Sequence, residues 1–186
     1  MVLFVTDVDL DCGLLYSSDV LGETPSSKPE FLPLLEKGRH QMSLLELRKL
    51  CVNAFPLSTT RSKIMNGLEK IVEKLRSNSI QGEIWVDGSF VTAKINPEDV
   101  DIVLRCPADF YDNCTQKQRD TVDWLTPNLK NTHLCDSYHF MEWPEGNPNY
   151  WLGECMYSYW MKQFGFSRGS EMKGIAVIAL QEARND

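Results

Sequence analysis

The sequence predicts an α+β domain: a small mixed or antiparallel sheet flanked by helices. Three observations lead there. Two amphipathic helix patterns lie between residues 43 and 77, and from residue 82 the chain switches to extended runs rich in β-branched and aromatic residues. The length of 186 residues suits one domain and not two. With 42% hydrophobic residues, such a chain buries a core without needing a disulfide or a metal.

Residues 1–30 open with a short apolar run, Val2 to Val5, and pass into a stretch rich in Gly, Pro and Ser. They are expected to form an N-terminal arm or extension ahead of a domain over 31–186. Ser43 and Glu46 match a capping box, and Leu44, Leu47, Leu50 and Cys51 share one face behind it, so a helix is expected over 43–53. Ile64, Leu68, Ile71, Val72 and Leu75 recur at helical spacing, which predicts a second helix over 60–77 with Thr59 or Thr60 as its cap. GEIWVDGSF and EDVDIVLRC read as two adjacent strands, and TAKINP between them as a turn-bearing connector. A helix over 108–125 ends before Pro127, and HLCDSYHFMEW alternates as a third strand. After the loop PEGNPN comes an aromatic helix from Tyr150. Its Tyr150, Trp151, Tyr157, Tyr159 and Trp160 are assigned to core packing. KGIAVIAL is a last buried strand or a short helix.

The net charge of −7 argues against nucleic-acid binding through an overall positive field, so any polyanionic partner must meet a local basic patch. No apolar run approaches the roughly 20 residues of a membrane span. The start MVLFVTDVDLD lacks a basic n-region. A cytoplasmic protein without membrane association is expected. The six cysteines include no C-x-x-C and are read as free thiols. His40, His133 and His139 lie too far apart in sequence to argue for a ligand cluster or a catalytic triad.

The informative segment is Asp87-Gly88-Ser89 followed, after nine residues, by Asp99-Val100-Asp101-Ile102. A Gly-Ser pair leaving a strand exposes backbone N–H groups and a hydroxyl, with no side chain at Gly88 to block a phosphate. Residues two apart on a strand share a face, so Asp99 and Asp101 project together. Paired carboxylates suit Mg²⁺, or Mn²⁺, whose shell is commonly completed by substrate phosphate. Charges placed directly before the apolar run Ile102 to Leu104 call for a purpose.

These residues resemble the signature of the DNA-polymerase-β-type nucleotidyltransferase superfamily, especially its minimal members. The longer string EIWVDGSFVTAKINPEDVDIVL, with KGIAVIAL, is similar to a small, mostly bacterial nucleotidyltransferase-like family of unknown function. The resemblance implies a nucleotidyltransferase-like fold and metal-dependent transfer of a nucleoside monophosphate from an NTP to a hydroxyl acceptor, with release of pyrophosphate. It implies that Gly88 and Ser89 hold the β/γ-phosphates, that Asp99 and Asp101 bind metal, and that a third carboxylate comes from the next strand. Asp136 is assigned to that place, as metal ligand and proton acceptor, with Glu142 as the fallback. The basic position after Gly-Ser is displaced to Lys94, which is expected to neutralise phosphate, and Arg168 and Lys173 could lend further positive charge. Asp87 departs from the apolar residue usual before the glycine. By family analogy the acceptor is RNA, a protein or a small molecule, with a protein partner and a role in toxin–antitoxin pairs or antiviral defence. The rival expectation is a catalytically inactive module of the same fold acting as an inhibitor or antitoxin.

Near the N-terminus, Asp7-x-Asp9 resembles the first motif of haloacid-dehalogenase-type phosphatases, but the lysine and further acids of that fold have no place unless Asp99 and Asp101 are used again. Asp7, Asp9, Asp11 and Gly13 also approximate a calcium loop, with the glycine one place late and Ser18 where a glutamate belongs. A solvated acidic turn is the expectation there.

Overall fold

The computed structural model describes residues 29–181. Five strands form one sheet: β1 (Gly38–Gln41), β2 (Glu83–Asp87), β3 (Val100–Pro107), β4 (Cys135–Glu142) and β5 (Gly174–Ala179), in the spatial order β1-β5-β2-β3-β4. β2 runs antiparallel to both β5 and β3, whereas β1 with β5 and β3 with β4 are parallel pairs. The sheet is therefore mixed, as the α+β expectation allows. Parallel pairing of β3 and β4 requires a crossover, and three short helices supply it: α3 (Ala108–Asn113), α4 (Gln116–Asp123) and α5 (Lys130–His133).

Side-chain alternation sorts the sheet into two faces. Ile84, Val86, Ile102, Leu104, Ala176 and Ile178 join the core that includes Ile64, Leu68, Ile71, Val72 and Leu75 of α2 (Arg61–Ser77). Trp85, Val103, Ile175 and Val177 form the opposite core with Trp160 and Phe164 of α6 (Tyr150–Gly165). Each such side chain, fully buried, contributes about 1.5–3 kcal/mol, so the stripe on α2 is a main hold on the fold. β5 lies between β1 and β2 with both faces covered, which settles KGIAVIAL as a strand and explains its unbroken apolar run.

Several boundaries differ from expectation for identifiable reasons. The helix expected over 43–53 is α1 (Leu44–Arg48), started by the Ser43/Glu46 capping box, and it widens into a π-helical turn at Lys49–Asn53. The helix expected over 108–125 breaks at Cys114, because Thr115 and Gln118 form a second capping box that starts α4. The strand drawn through GEIWVDGSF stops at Asp87, where Gly88 takes φ +78° and Ser89–Val91 makes a 3₁₀ turn. The third strand begins at Cys135, after Leu134 closes α5 in the left-handed region at φ +58°. Thr60 stands at the N-cap of α2 without a side-chain bond. Instead the Arg61 N–H donates to Ser58 Oγ at 3.2 Å. β1, whose sequence GRHQ carries no apolar alternation, has no counterpart in the sequence-based reading.

The aromatic helix divides. Trp160 and Phe164 are buried, whereas Tyr150, Trp151 and Tyr159 are exposed. The expected strand at Val2–Val5, the acidic run Asp7–Asp11 and Cys12 lie outside the described residues. No helix among the described residues is long and apolar enough to cross a membrane.

Candidate functional site

Strand register builds the site. Asp87 at the end of β2 pairs with Asp101 of β3, and Asp101 pairs with Asp136 of β4. Directly paired residues share a face, so three carboxylates occupy one rung across three neighbouring strands. At about 4.8 Å per strand the rung spans roughly 10 Å. It lies on the face that carries Trp85 and Val103, under the influence of α6. Asp99 stands just before β3, two residues from Asp101, and its charge acts on Asp101. The two acids of the motif are therefore close enough for their charges to act on one another.

Gly88 closes the corner onto this rung. A Cβ added there would lie 1.9 Å from Asp101 Oδ2 and 3.3 Å from Asp101 N. Any larger residue would be strained by the positive φ and would also strike the carboxylate. The glycine corner and Asp101, thirteen positions apart in sequence, are in contact distance. The Ser89 hydroxyl makes no hydrogen bond to a described residue, and the Ser89 carbonyl accepts from Thr92 Oγ1 at 2.8 Å.

The rung is electrostatically loaded. Burial pushes the Asp87 carboxyl up to about 6, against the opposing Lys173 charge, the hydrogen bond from Lys173 Nζ at 2.6 Å and the Gly88 N–H. Burial first, then the charges of Asp99, Asp87 and Asp136, push Asp101 up to about 6, with Lys173 opposing. Lys130 forms an ion pair with Asp99, whose hydrogen bond and charge raise the ammonium pKa further. Asp136 accepts from the Asn128 amide, and the Tyr138 hydroxyl is pushed upward by burial and then by Asp136. Asn128, at φ +59°, sits in a turn that buried Ser137 holds from β4. The Ser137 hydroxyl donates to the Leu125 carbonyl at 2.8 Å and accepts from the Leu129 N–H at 3.0 Å. Asp101 alone of the four acids accepts no hydrogen bond from a described side chain.

A buried arginine shapes the connector between corner and acid pair. The Arg61 guanidinium, fully buried, donates to the carbonyls of Cys51, Phe90, Thr92 and Lys94 at 2.5–3.2 Å and stacks 3.7 Å from the Phe55 ring centroid. Among the described residues it pairs with no carboxylate, and its hydrogen bonds go to backbone.

The donor set can be weighed against a hard divalent cation. Four carboxylates face two ammonium groups, and the oxygen-only donors match Mg²⁺ or Mn²⁺. Among the described residues no group of three or more His, Cys, Asp or Glu stands at ligating spacing. Lys173, Lys130 and Asn128 each engage one of the acids instead. Asp99, Asp101 and Asp136 fit a metal by the chemistry of their oxygens, Asp101 and Asp136 share a rung, and a closed cage would require the carboxylates to draw together with exchange of Lys130 for the cation.

The other residues singled out from sequence fall in different places. Glu142 lies six residues beyond Asp136 on β4, roughly 20 Å along the strand, and is paired with Arg105. Lys94 contributes its carbonyl to Arg61, and its ammonium is not among the charges acting on Asp101. Arg168 is exposed in the loop after α6. Lys173 does reach the site, on Asp87. Sequence reasoning missed Lys130, Asn128 and Arg61, and it took Asp87 only as a departure. A signal existed for Arg61, since a cation in the first turn of a helix opposes the macrodipole and so needs another use.

A family model described as "Family of unknown function (DUF6932)" matches residues 29–179, and the chain belongs to that family. No curated protein and no solved structure matches the chain.

Proposed function

We propose that this member of the family is a metal-dependent nucleotidyltransferase, which moves a nucleoside monophosphate from an NTP to a hydroxyl acceptor. One observation supports the reading above the rest: Gly88 turns directly onto Asp101 on a rung that also carries Asp87 and Asp136. A phosphate-accessible corner beside clustered carboxylates is what a metal–triphosphate site requires.

In this account Gly88, by having no side chain, makes room for the β- and γ-phosphates, and Ser89 receives them through its backbone N–H and its unengaged hydroxyl. Asp99, Asp101 and Asp136 would hold Mg²⁺ or Mn²⁺. Once bound, such a cation neutralises the phosphates and stabilises charge developing in the displacement. Asp136 takes the proton of the acceptor hydroxyl while the acceptor oxygen bonds to the α-phosphorus and the bond from that phosphorus to pyrophosphate breaks. Asn128 orients the Asp136 carboxylate. Lys130 stands where the expected role of Lys94 would be useful, as a cation next to the acids.

The test is incubation with each α-labelled NTP, Mg²⁺ or Mn²⁺, and a pool of RNA and cell protein as acceptors. Label should appear in a product with at least one nucleotide and vanish with Asp99→Ala/Asp101→Ala, a variant whose folding is checked by circular dichroism. Failure with all four nucleotides would overturn the transferase. The ion pairs Lys130–Asp99 and Lys173–Asp87 favour a second reading, an inhibitor or antitoxin-like module whose acids are neutralised internally. It predicts that neither metal nor NTP changes the melting temperature.

A further inference from the structure

The four acids meet two lysines that are held in different ways. Lys173 pairs with Asp87 at 2.6 Å, and both side chains are buried, at 12% and 6% exposure, so this ammonium has no room to change partners. Lys130 is the opposite case. Its side chain is 49% exposed and forms an ion pair with Asp99. The hydrogen bond to Asp99 first, and then the charges of Asp99, Asp136 and Asp101, hold its proton more firmly than usual. One ammonium therefore acts on each carboxylate that the transferase reading gives to the metal.

The root of this lysine is fixed although its head is not. The Lys130 N–H donates to Asn128 Oδ1 at 2.9 Å, while Asn128 Nδ2 donates to Asp136. Buried Ser137 pins the same turn through the Leu125 carbonyl and the Leu129 N–H, and Leu134 closes α5 at φ +58°. The flexible four-carbon stem lets the ammonium move from one acceptor to another while the backbone stays where it is.

A carboxylate lone pair that accepts from an ammonium is closed to a divalent cation, and two cations among the same acids repel each other. Lysine and metal therefore compete for Asp99. Gly88 lies in contact distance of Asp101, one of the acids whose charge acts on Lys130, so a phosphate at this corner offers the displaced ammonium a new acceptor close by.

We infer that Lys130 is a hand-over residue: it holds Asp99 against metal arriving alone, and passes from the carboxylate to the triphosphate when a metal–nucleotide complex enters. The inference rests on the nucleotidyl-transfer reading and names how that site is regulated. The site selects metal that comes with its nucleotide, because only then does the lysine exchange one anionic partner for another instead of losing one.

The test measures binding without turnover, on the full chain. Mn²⁺ alone is titrated by the electron paramagnetic resonance of the free ion, and the Mn²⁺ complex of a fluorescent non-hydrolysable NTP analogue by anisotropy. Lys130→Gln should bind Mn²⁺ about tenfold more tightly than the parent, since the competing charge is gone. It should bind the complex no more tightly than the parent, since the phosphate partner is gone as well. Lys130→Arg keeps the charge and should not tighten Mn²⁺ binding. Both variants should melt with the parent, because the side chain is half exposed. Equal Mn²⁺ affinity in parent and Lys130→Gln, equal tightening for Mn²⁺ and for the complex, or weakening of both would overturn the hand-over and leave the transferase standing. Mn²⁺ binding by none of the three proteins would overturn the transferase reading itself, and the hand-over with it.

Discussion

Asp101 is surrounded by like charges and accepts no hydrogen bond from a described side chain, so its ionised form is unfavourable in the folded state. Its carboxyl titrates near 6 when folded and near 3.8 as the reference. Between those values the folded state binds the extra proton, so this group's contribution to stability is present at low pH, falls as pH rises through about 6, and levels off above it. Asp101→Asn removes the titration. The variant should melt above the parent by an amount that grows from pH 5 to pH 7 and reaches about 3–6 °C, for an effect of about 1–2 kcal/mol. A variant that melts below the parent at pH 7 would show that the charge is compensated. Gly88→Ala tests the corner from its other side. Positive φ and the collision with Asp101 Oδ2 should together destabilise by about 2 kcal/mol or more in urea titration, and nucleotide binding should be lost with it. At this scale the sequence was readable where chemistry is local. Gly88, Asp99 and Asp101 follow from turn and alternation rules. Lys130 and Asn128 did not, because each reaches its acid only through the turn that Ser137 pins from a strand.

Elements carry the site through connectors as much as through strands. The stretch from Phe90 to Lys94 has no regular ladder for its carbonyls. Arg61, at the start of α2, satisfies those of Phe90, Thr92 and Lys94 from the side. Arg61 is thus a positioning residue: it fixes the connector between the Gly-Ser corner and Asp99 without touching either. Lysine cannot reproduce the fork of donors. Arg61→Lys should destabilise by about 2–3 kcal/mol, since buried carbonyls lose their partners, and hydrogen exchange should rise in residues 89–96 before it rises in α2. Uniform loss of protection would place the effect in the helix packing instead. Helix capping explains where sequence reasoning broke down at this scale. The Thr115/Gln118 box that splits the predicted 108–125 helix is written in the chain, but the apolar periodicity on either side overrides it on inspection. β1 left no such trace, because an edge strand of four polar residues is defined by its pairing with β5 and not by alternation.

Taken whole, the molecule separates its charges by end of the sheet. At one end Glu83 gathers Arg39, Arg105 and the Trp85 indole N–H into a neutralised network. At the other, four acids face two lysines, Lys130 and Lys173. α2, β2 and β3 were legible because their periodicity is unambiguous, whereas the unbroken apolar run of β5 suits a strand or a helix until its pairing with β1 and β2 settles it. The order β1-β5-β2-β3-β4 was not legible, since register between distant strands depends on packing that no local pattern encodes. That register is what sets Asp136 beside Asp101 and brings Asp87 to the same rung. The most direct measurement is the melting temperature with Mg²⁺ and a non-hydrolysable NTP analogue, for the parent and for Asp99→Ala/Asp101→Ala. A ligand at a hundred times its dissociation constant adds about 2.7 kcal/mol to the folded state. The parent should therefore melt several degrees higher with metal and nucleotide together, and the double variant should not respond. An equal rise in both proteins, or none in the parent, would contradict a metal–triphosphate site at this corner.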